Sequence, residues 1–381
     1  METRTPDEFP HIRDEAAAVS ALTVRRWTVE EWLGNEMAWS RLLAKSSADP
    51  LFLSWEWLTH WWRSYGGAQG RAPDILAFYR GDDLVGLTPL YHRLVMRGGL
   101  VRVRSVQVIG LSWRDPEPLI SEYLDVIASR QDLDAVRHAS LCVLLNESAW
   151  TEFVIGLTAA GAEWRDVFAR EAPSKGHYVR ELDRSVSYQA DLADGFGAYL
   201  RDLGQSTRRS LWNLRSRLTN HGEVSLEFVG SEEIDSGFSD LNRLHELRWK
   251  RPAFTGKRLA FHRTLASGLA TQGELAFSRL RVGGNVVSVL YDIRKGARQY
   301  NMKMGFDPAF SSRVSLGLIH LGYAMEAAAD HDVTVYDFLA GPGRTSDYKP
   351  HLSQARRALS CVQMLRGRVL PALYRWRDRA R

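Results

Sequence analysis

The sequence predicts an α+β chain of two tandem domains, each a mixed, mostly antiparallel sheet flanked by helices. Two observations carry this. Short β-rich runs joined by Gly or Gly-Asp turns alternate with segments of helical spacing, and the second half repeats the order of the first. With 381 residues, 45% hydrophobic and 25% charged, the chain is long enough for two globular domains.

Residues 1–20, with Pro6, Pro10 and mixed charge, are expected as a loose N-terminal arm. The first domain is expected over 21–185. SWEWLTHWWRSY (54–65) has helical spacing, with Trp55, Leu58, Trp62 and Tyr65 on one stripe. Trp55, Trp57, Trp61 and Trp62 suggest a wall of flat side chains, and Trp55 and Trp57 are taken as candidate substrate-binding residues. ILAFYRGDDLVGLTPLYHR (75–93) reads as strand, turn, strand, and VRVRSVQVIG (101–110) alternates as a half-buried strand does. SEYLDVIA (121–128) reads as a further strand, and a helix begins within QDLDAVRHA, with Asp132 or Asp134 in its first turn. A linker is expected near 173–190.

The second domain is expected over 186–365, opening with a helical segment at 193–221. Residues 273–305 read as three strands separated by Gly turns. Residues 315–330 form a helix with Leu316, Ile319, Tyr323 and Ala327 on one stripe, and VTVYDFLAG (333–341) is the next strand. ILAFYRGDDLVGLTPLY lies beside LAFSRLRVGGNVVSVLY, and EYLDVIA beside VYDFLAG, which makes Asp125 the counterpart of Asp337. Residues 366–381 are expected as a basic C-terminal tail.

The formal net charge of +5 is concentrated in two places. Arg201, Arg208, Arg209, Arg215 and Arg217 share one segment, and six further arginines lie in 366–381. On a continuous helix Arg208 and Arg215 would share a face, so they are candidates to bind an anionic part of an acceptor. Two distant cysteines, no apolar run of membrane-spanning length and a polar N-terminus lead to an expectation of a cytoplasmic protein without a membrane span. No metal-ligand spacing, GxSxG elbow, phosphate-binding GxxxxGK(S/T) or strand-borne GxGxxG occurs, so no metal site is expected and the hallmarks of hydrolases, kinases and dinucleotide oxidoreductases are missing.

YNMKMGFDPAFSSRVSLGLIHLGYAMEAA followed by YDFLAGPGRTSDYK resembles the GNAT-like acetyltransferase domain of a cellulose-biosynthesis-associated branch of bacterial proteins, itself related in fold to Fem-type aminoacyl transferases. The first half is similar to the same branch through LSWEWLTHWW, LVGLTPL and EYLDVIA, so the resemblance spans roughly residues 50–365. It implies two tandem GNAT-like domains and an acyltransferase without a permanently bound cofactor. Acyl-CoA, acetyl-CoA first, is the implied co-substrate, and the acceptor a small molecule or a nucleotide-linked amine or alcohol. Related alternatives are an aminoacyl-tRNA-dependent transferase, with tRNA as partner, and a non-catalytic binding module. The chain departs from the GNAT pattern in lacking a glycine-rich pyrophosphate loop; Arg313, Val314, Ser315, Leu316 and Gly317 stand in its place, at a helix start that offers free N–H groups to an anion. Asp337, a carboxylate in an apolar strand, is the expected general base, with Tyr348 as acid to the leaving group and Lys349 steadying negative charge.

Overall fold

The structure is a computed structural model describing residues 22–67, 70–112, 115, 117–119, 121–147, 149–171 and 177–379, less 98–100, 312 and 341–347. The N-terminal arm of the sequence reading lies outside the described residues. The chain divides into two compact units, residues 1–184 with 359–381, and residues 185–358.

Unit 1 begins with β1 (Thr23–Trp27), then α1 (Val29–Gly34), α2 (Glu36–Ala44) and α3 (Trp55–Trp61), which runs on into one π turn. Thr28 and Glu31 close a reciprocal capping box at the start of α1. The strands β2 (Arg71–Arg80), β3 (Asp83–Arg97) and β4 (Val101–Val108) form an antiparallel meander. Next come β5 (Ile127–Ala128), α4 (Leu133–Asn146), β6 (Glu152–Thr158) and α5 (Gly161–Glu171), and β6 runs parallel to β4.

The chain then passes along β7 (Tyr178–Asp191) into unit 2. There it forms α6 (Phe196–Asp202), α7 (Gln205–Leu211), a 3-10 segment (Asn213–His221), β8 (Val224–Phe228), α8 (Ile234–Trp249) and α9 (Gly256–Thr271). The antiparallel meander β9 (Ser278–Val282), β10 (Asn285–Lys295) and β11 (Arg298–Phe306) is followed by α10 (Leu316–Ala329) and β12 (Val335–Asp337), parallel to β11. Finally β13 (Ala355–Leu365) and α11 (Val369–Arg379) return to unit 1, where β13 pairs antiparallel with β6. Strand order is β1-β2-β3-β4-β6-β13 in unit 1 and β7-β12-β11-β10-β9-β8 in unit 2. The expected α+β fold is the fold observed, and each unit repeats strand, helices, three-strand meander, helix, parallel strand. Among the described residues no helix is long and apolar enough to cross a membrane.

Four local expectations change. Only Ile127–Ala128 of the run 121–128 is a strand, and it pairs with β3, so β6 and not EYLDVIA is the counterpart of β12. Asp125 instead accepts hydrogen bonds from Arg137 and the Trp164 indole. The described part of the expected linker is mostly β7. The basic helix at 193–221 is broken at Leu203–Gly204 and again at Trp212, whose φ of −131° leaves the helical region. Arg208 and Arg215 therefore do not share one helix face. The expected tail carries α11, with Leu370 and Tyr374 buried against Val103 and Leu365.

The core of unit 2 around α10 joins Leu321, Met325 and Ala328 to Phe196, Tyr199, Leu211, Tyr336 and Phe338. Each such large side chain contributes about 1.5–3 kcal/mol when fully buried. Gly317 lets the first turn of α10 sit against β11, because a Cβ there would lie 2.8 Å from the Phe306 ring.

Candidate active site

In unit 2, β11 and β12 run together only from Arg298–Val335 to Tyr300–Asp337. β11 continues to Phe306 while β12 ends, so the two strands part at Asn301. At the same place the β10–β11 register jumps: Tyr291 faces Lys303 and Asp292 faces Asn301, which leaves Met302 as the extra residue of a β-bulge. Bulges re-aim backbone and side chains and occur often beside active sites.

The other wall of the parting is a turn with a strained residue. Leu339 has a φ of +56°, unusual for a residue with a branched side chain. Its N–H donates to Asp337 Oδ1 at 2.8 Å. The carbonyls of Phe338, Leu339 and Ala340 all accept from the Lys349 ammonium, at 2.8, 2.8 and 3.2 Å. Three protons meeting three carbonyls use the full donor capacity of a lysine. Lys349 holds the turn and has no proton left for an oxyanion.

Asp337 is likewise given to the fold. Its carboxylate is fully buried and accepts from Arg298 at 3.0 Å and Gln189 at 2.8 Å, besides Leu339. A base must take up a proton, and doing so here would break the buried ion pair with Arg298, so Asp337 makes a poor one.

The carboxylate that fits a base is Asp292, which the sequence reading passed over. It is fully buried and accepts from Gln299 at 2.9 Å, Asn301 at 2.7 Å and the Tyr336 hydroxyl at 2.5 Å. Among the described residues no cation pairs with it. Burial raises its pKa to about 6, against the pull of those three donors. The Tyr336 phenol is pushed well up, by burial first and then by the charge of Asp292, so it stays protonated and donating.

Tyr348 packs against the same cluster as Tyr336 and is half-buried. Burial lifts its phenol to about 12, opposed by Arg248, while the Asp292 charge raises it. Arg248 itself sits over the Phe306 ring at 4.4 Å and the Trp249 ring at 4.8 Å. The structure thus gathers Asp292, Asn301, Tyr336 and Tyr348 around the parting, with a cation within electrostatic reach.

The helix expected to receive phosphate begins at Leu316, with Ser315 as N-cap by position. Ser315 makes no side-chain cap, so the first-turn N–H groups of α10 are not closed by it. Arg313 is exposed, whereas Val314, Leu316 and Gly317 are buried. The four remaining candidates sit elsewhere. The Arg215 guanidinium stacks 3.9 Å from the Trp212 ring, and Arg208 is half-buried on α7. Trp57 is buried in unit 1 with its indole N–H on Ser121 Oγ at 2.7 Å, and Trp55 donates to the Trp32 carbonyl. Both tryptophans are packing residues of unit 1. One group among the described residues has the spacing of metal ligands, Asp74, His92 and Glu147, and the Arg26 guanidinium pairs with both of its carboxylates.

Residues 205–350 match the model of the GNAT acetyltransferase domain. No curated protein matches the chain. Among solved structures, FemX is 9% identical with a TM-score of 0.58, covering 89% of this chain and 96% of its own. A conserved protein of unknown function from Bacteroides thetaiotaomicron is 13% identical with a TM-score of 0.54, covering 91% and 100%. The C-terminal domain of a putative lysylphosphatidylglycerol synthetase from Agrobacterium fabrum is 11% identical with a TM-score of 0.51, covering 91% and 95%. At these identities the likeness is one of fold.

Proposed function

We propose that the chain moves an acyl group from an acyl-CoA thioester, acetyl-CoA first, to an amine acceptor, a reading supported by the match of residues 205–350 to the model of the GNAT acetyltransferase domain. The observation that carries this reading is the parting of β11 and β12 beside the Met302 bulge. A strand edge without a partner offers backbone N–H and C=O groups to an extended donor arm, and the first turn of α10, with Arg313 beside it, offers N–H groups to the donor's pyrophosphate.

The reaction is a direct attack in a ternary complex. The acceptor nitrogen adds to the thioester carbonyl, its proton passes through the Tyr336 hydroxyl to Asp292, and the C–S bond breaks as Tyr348 protonates the departing thiolate. Asp292, with a pKa of about 6, is ionised at neutral pH, and the Tyr348 phenol, at about 12, is protonated there. The cytoplasm, which supplies thioester donors, is the proposed compartment. The test is release of free thiol from acetyl-CoA on adding a panel of amines, with binding of acetyl-CoA measured separately by calorimetry. No binding and no amine-dependent thiol release would remove the reading.

A second donor class has one observation behind it. Arg201, Arg209 and Arg217 are exposed, and among the described residues none is in an ion pair. Such a surface suits the phosphates of an aminoacyl-tRNA donor. A gel shift with bulk tRNA whose log-affinity falls steeply with log salt would favour that donor over CoA.

A further inference from the structure

The C-terminal helix α11 has two faces of opposite purpose. Its inner face is used within unit 1: Leu370 and Tyr374 are buried with Val103 and Leu365. Asp378, its one acidic residue, is bound by Arg180 at 2.7 Å and by the Tyr178 hydroxyl at 3.0 Å. Among the described residues the outer face has no such partner. Val369 is 72% exposed, Leu373 51% and Trp376 72%. They stand at i, i+4 and i+7, which makes one continuous apolar stripe along the helix.

Arginines border that stripe. Arg368, Arg377 and Arg379 are exposed, and among the described residues none is in an ion pair, whereas Arg375 donates to the His177 carbonyl at 3.1 Å within unit 1. With Asp378 neutralised on the inner side, the outward charge of α11 is wholly positive. A soluble surface helix that exposes a tryptophan, a leucine and a valine in register, between cations, is shaped for the boundary between lipid headgroups and acyl chains.

We propose that α11 is an interfacial anchor that seats this chain on an anionic lipid bilayer. Trp376, Leu373 and Val369 enter the headgroup boundary, and the flanking arginines meet lipid phosphates. Charge complementarity selects this occupant. A second copy docking through the same face would oppose one set of arginines to the other. A nucleic acid would use the cations and leave the apolar stripe in water. The helix lies on the membrane without crossing it, and the proposal is independent of the acyl-transfer reading.

The test is co-sedimentation of the full chain with vesicles of phosphatidylcholine and phosphatidylglycerol in equal parts, against vesicles of phosphatidylcholine alone. The wild type is expected in the pellet with the anionic vesicles only, and less so as salt rises. A chain carrying Val369→Ser, Leu373→Ser and Trp376→Ser should lose at least about 100-fold in affinity, since this stripe supplies the buried apolar area. These residues are exposed, so its circular dichroism and unfolding midpoint should match the wild type. The pair Arg377→Gln and Arg379→Gln should lose about 25-fold, at roughly fivefold per arginine near an anionic surface. Absence of the wild type from the anionic pellet, or equal binding by the triple-serine chain, would overturn the proposal. So would a wild-type dimer that becomes monomeric in the triple-serine chain while vesicles stay unbound.

Discussion

The parallel strand pair is built twice in this chain and finished in two ways. In unit 1, β4 and β6 pair from Ser105–Glu152 to Gln107–Val154. The chain leaving β4 then folds Leu111 over Gly156 of β6, so closely that a Cβ on that glycine would lie 2.5 Å from Leu111 Cδ1. Tyr91 fixes the lid by donating to the Leu111 carbonyl at 2.6 Å. In unit 2 the corresponding strands part beside a bulge, a strained turn held by Lys349 and a buried carboxylate with neutral donors. At the same point of the topology an apolar side chain covers the strand in one copy, and a buried carboxylate stands beside the parting in the other. What fills the parting, and not the strand order, decides where a site can be.

The contrast can be broken most sharply at Asp292. Asp292→Asn should lower turnover about 100-fold or more, the usual contribution of a positioned base, with little change in donor affinity. The wild-type rate should rise as pH climbs through about 6, where this carboxyl ionises, and the variant should lack that limb. Stability runs the other way. A pKa raised from 3.8 favours the folded state most below about pH 4, and that contribution is lost as pH rises through about 6. A variant with wild-type turnover and an unchanged pH profile would remove Asp292 from the chemistry.

Leu111→Ala tests the other copy. It should cost about 2–5 kcal/mol in urea unfolding, as a buried leucine truncation does, while turnover per folded molecule stays unchanged. A loss of turnover without a loss of stability would place function in unit 1. Asp337→Asn should destabilise by about 3 kcal/mol through the broken pairing with Arg298, again with normal turnover in the folded fraction. A catalytic defect in fully folded Asp337→Asn would restore it as the base. The smallest effect is expected at Tyr348→Phe, about 10-fold in turnover and largest with the poorest leaving groups, because the phenol helps only the departing sulfur. Equal effects on good and poor leaving groups would make Tyr348 a packing residue.

The α+β class and both meanders were legible because period-two runs broken by Gly turns announce hairpins locally. EFVIGLT of β6 was not separated from its surroundings, and its role fell to EYLDVIA, since nothing local distinguishes a parallel central strand from another apolar run. The helix at 193–221 failed for a tertiary reason. The Trp212 ring packs edge-on against Phe196 and Tyr323, and the backbone leaves the helix to put it there. At the site, one sequence signal fits two residues. A carboxylate within an apolar strand describes Asp292 in VVSVLYDI as well as Asp337 in VTVYDFLA. They differ in their partners, a guanidinium for one and neutral donors for the other, and partners separated by strand pairing cannot be read along the chain.

The proposed chemistry requires the parting of β11 and β12 to hold the acyl donor. A crystal structure of the full chain grown with acetyl-CoA tests it most directly. The predicted result is a donor arm lying along β11 from Asn301 toward Phe306, its pyrophosphate on the first turn of α10 and its thioester near Tyr336 and Tyr348. Acetyl-CoA bound between β4 and β6 of unit 1, or bound nowhere at saturating concentration, would contradict it.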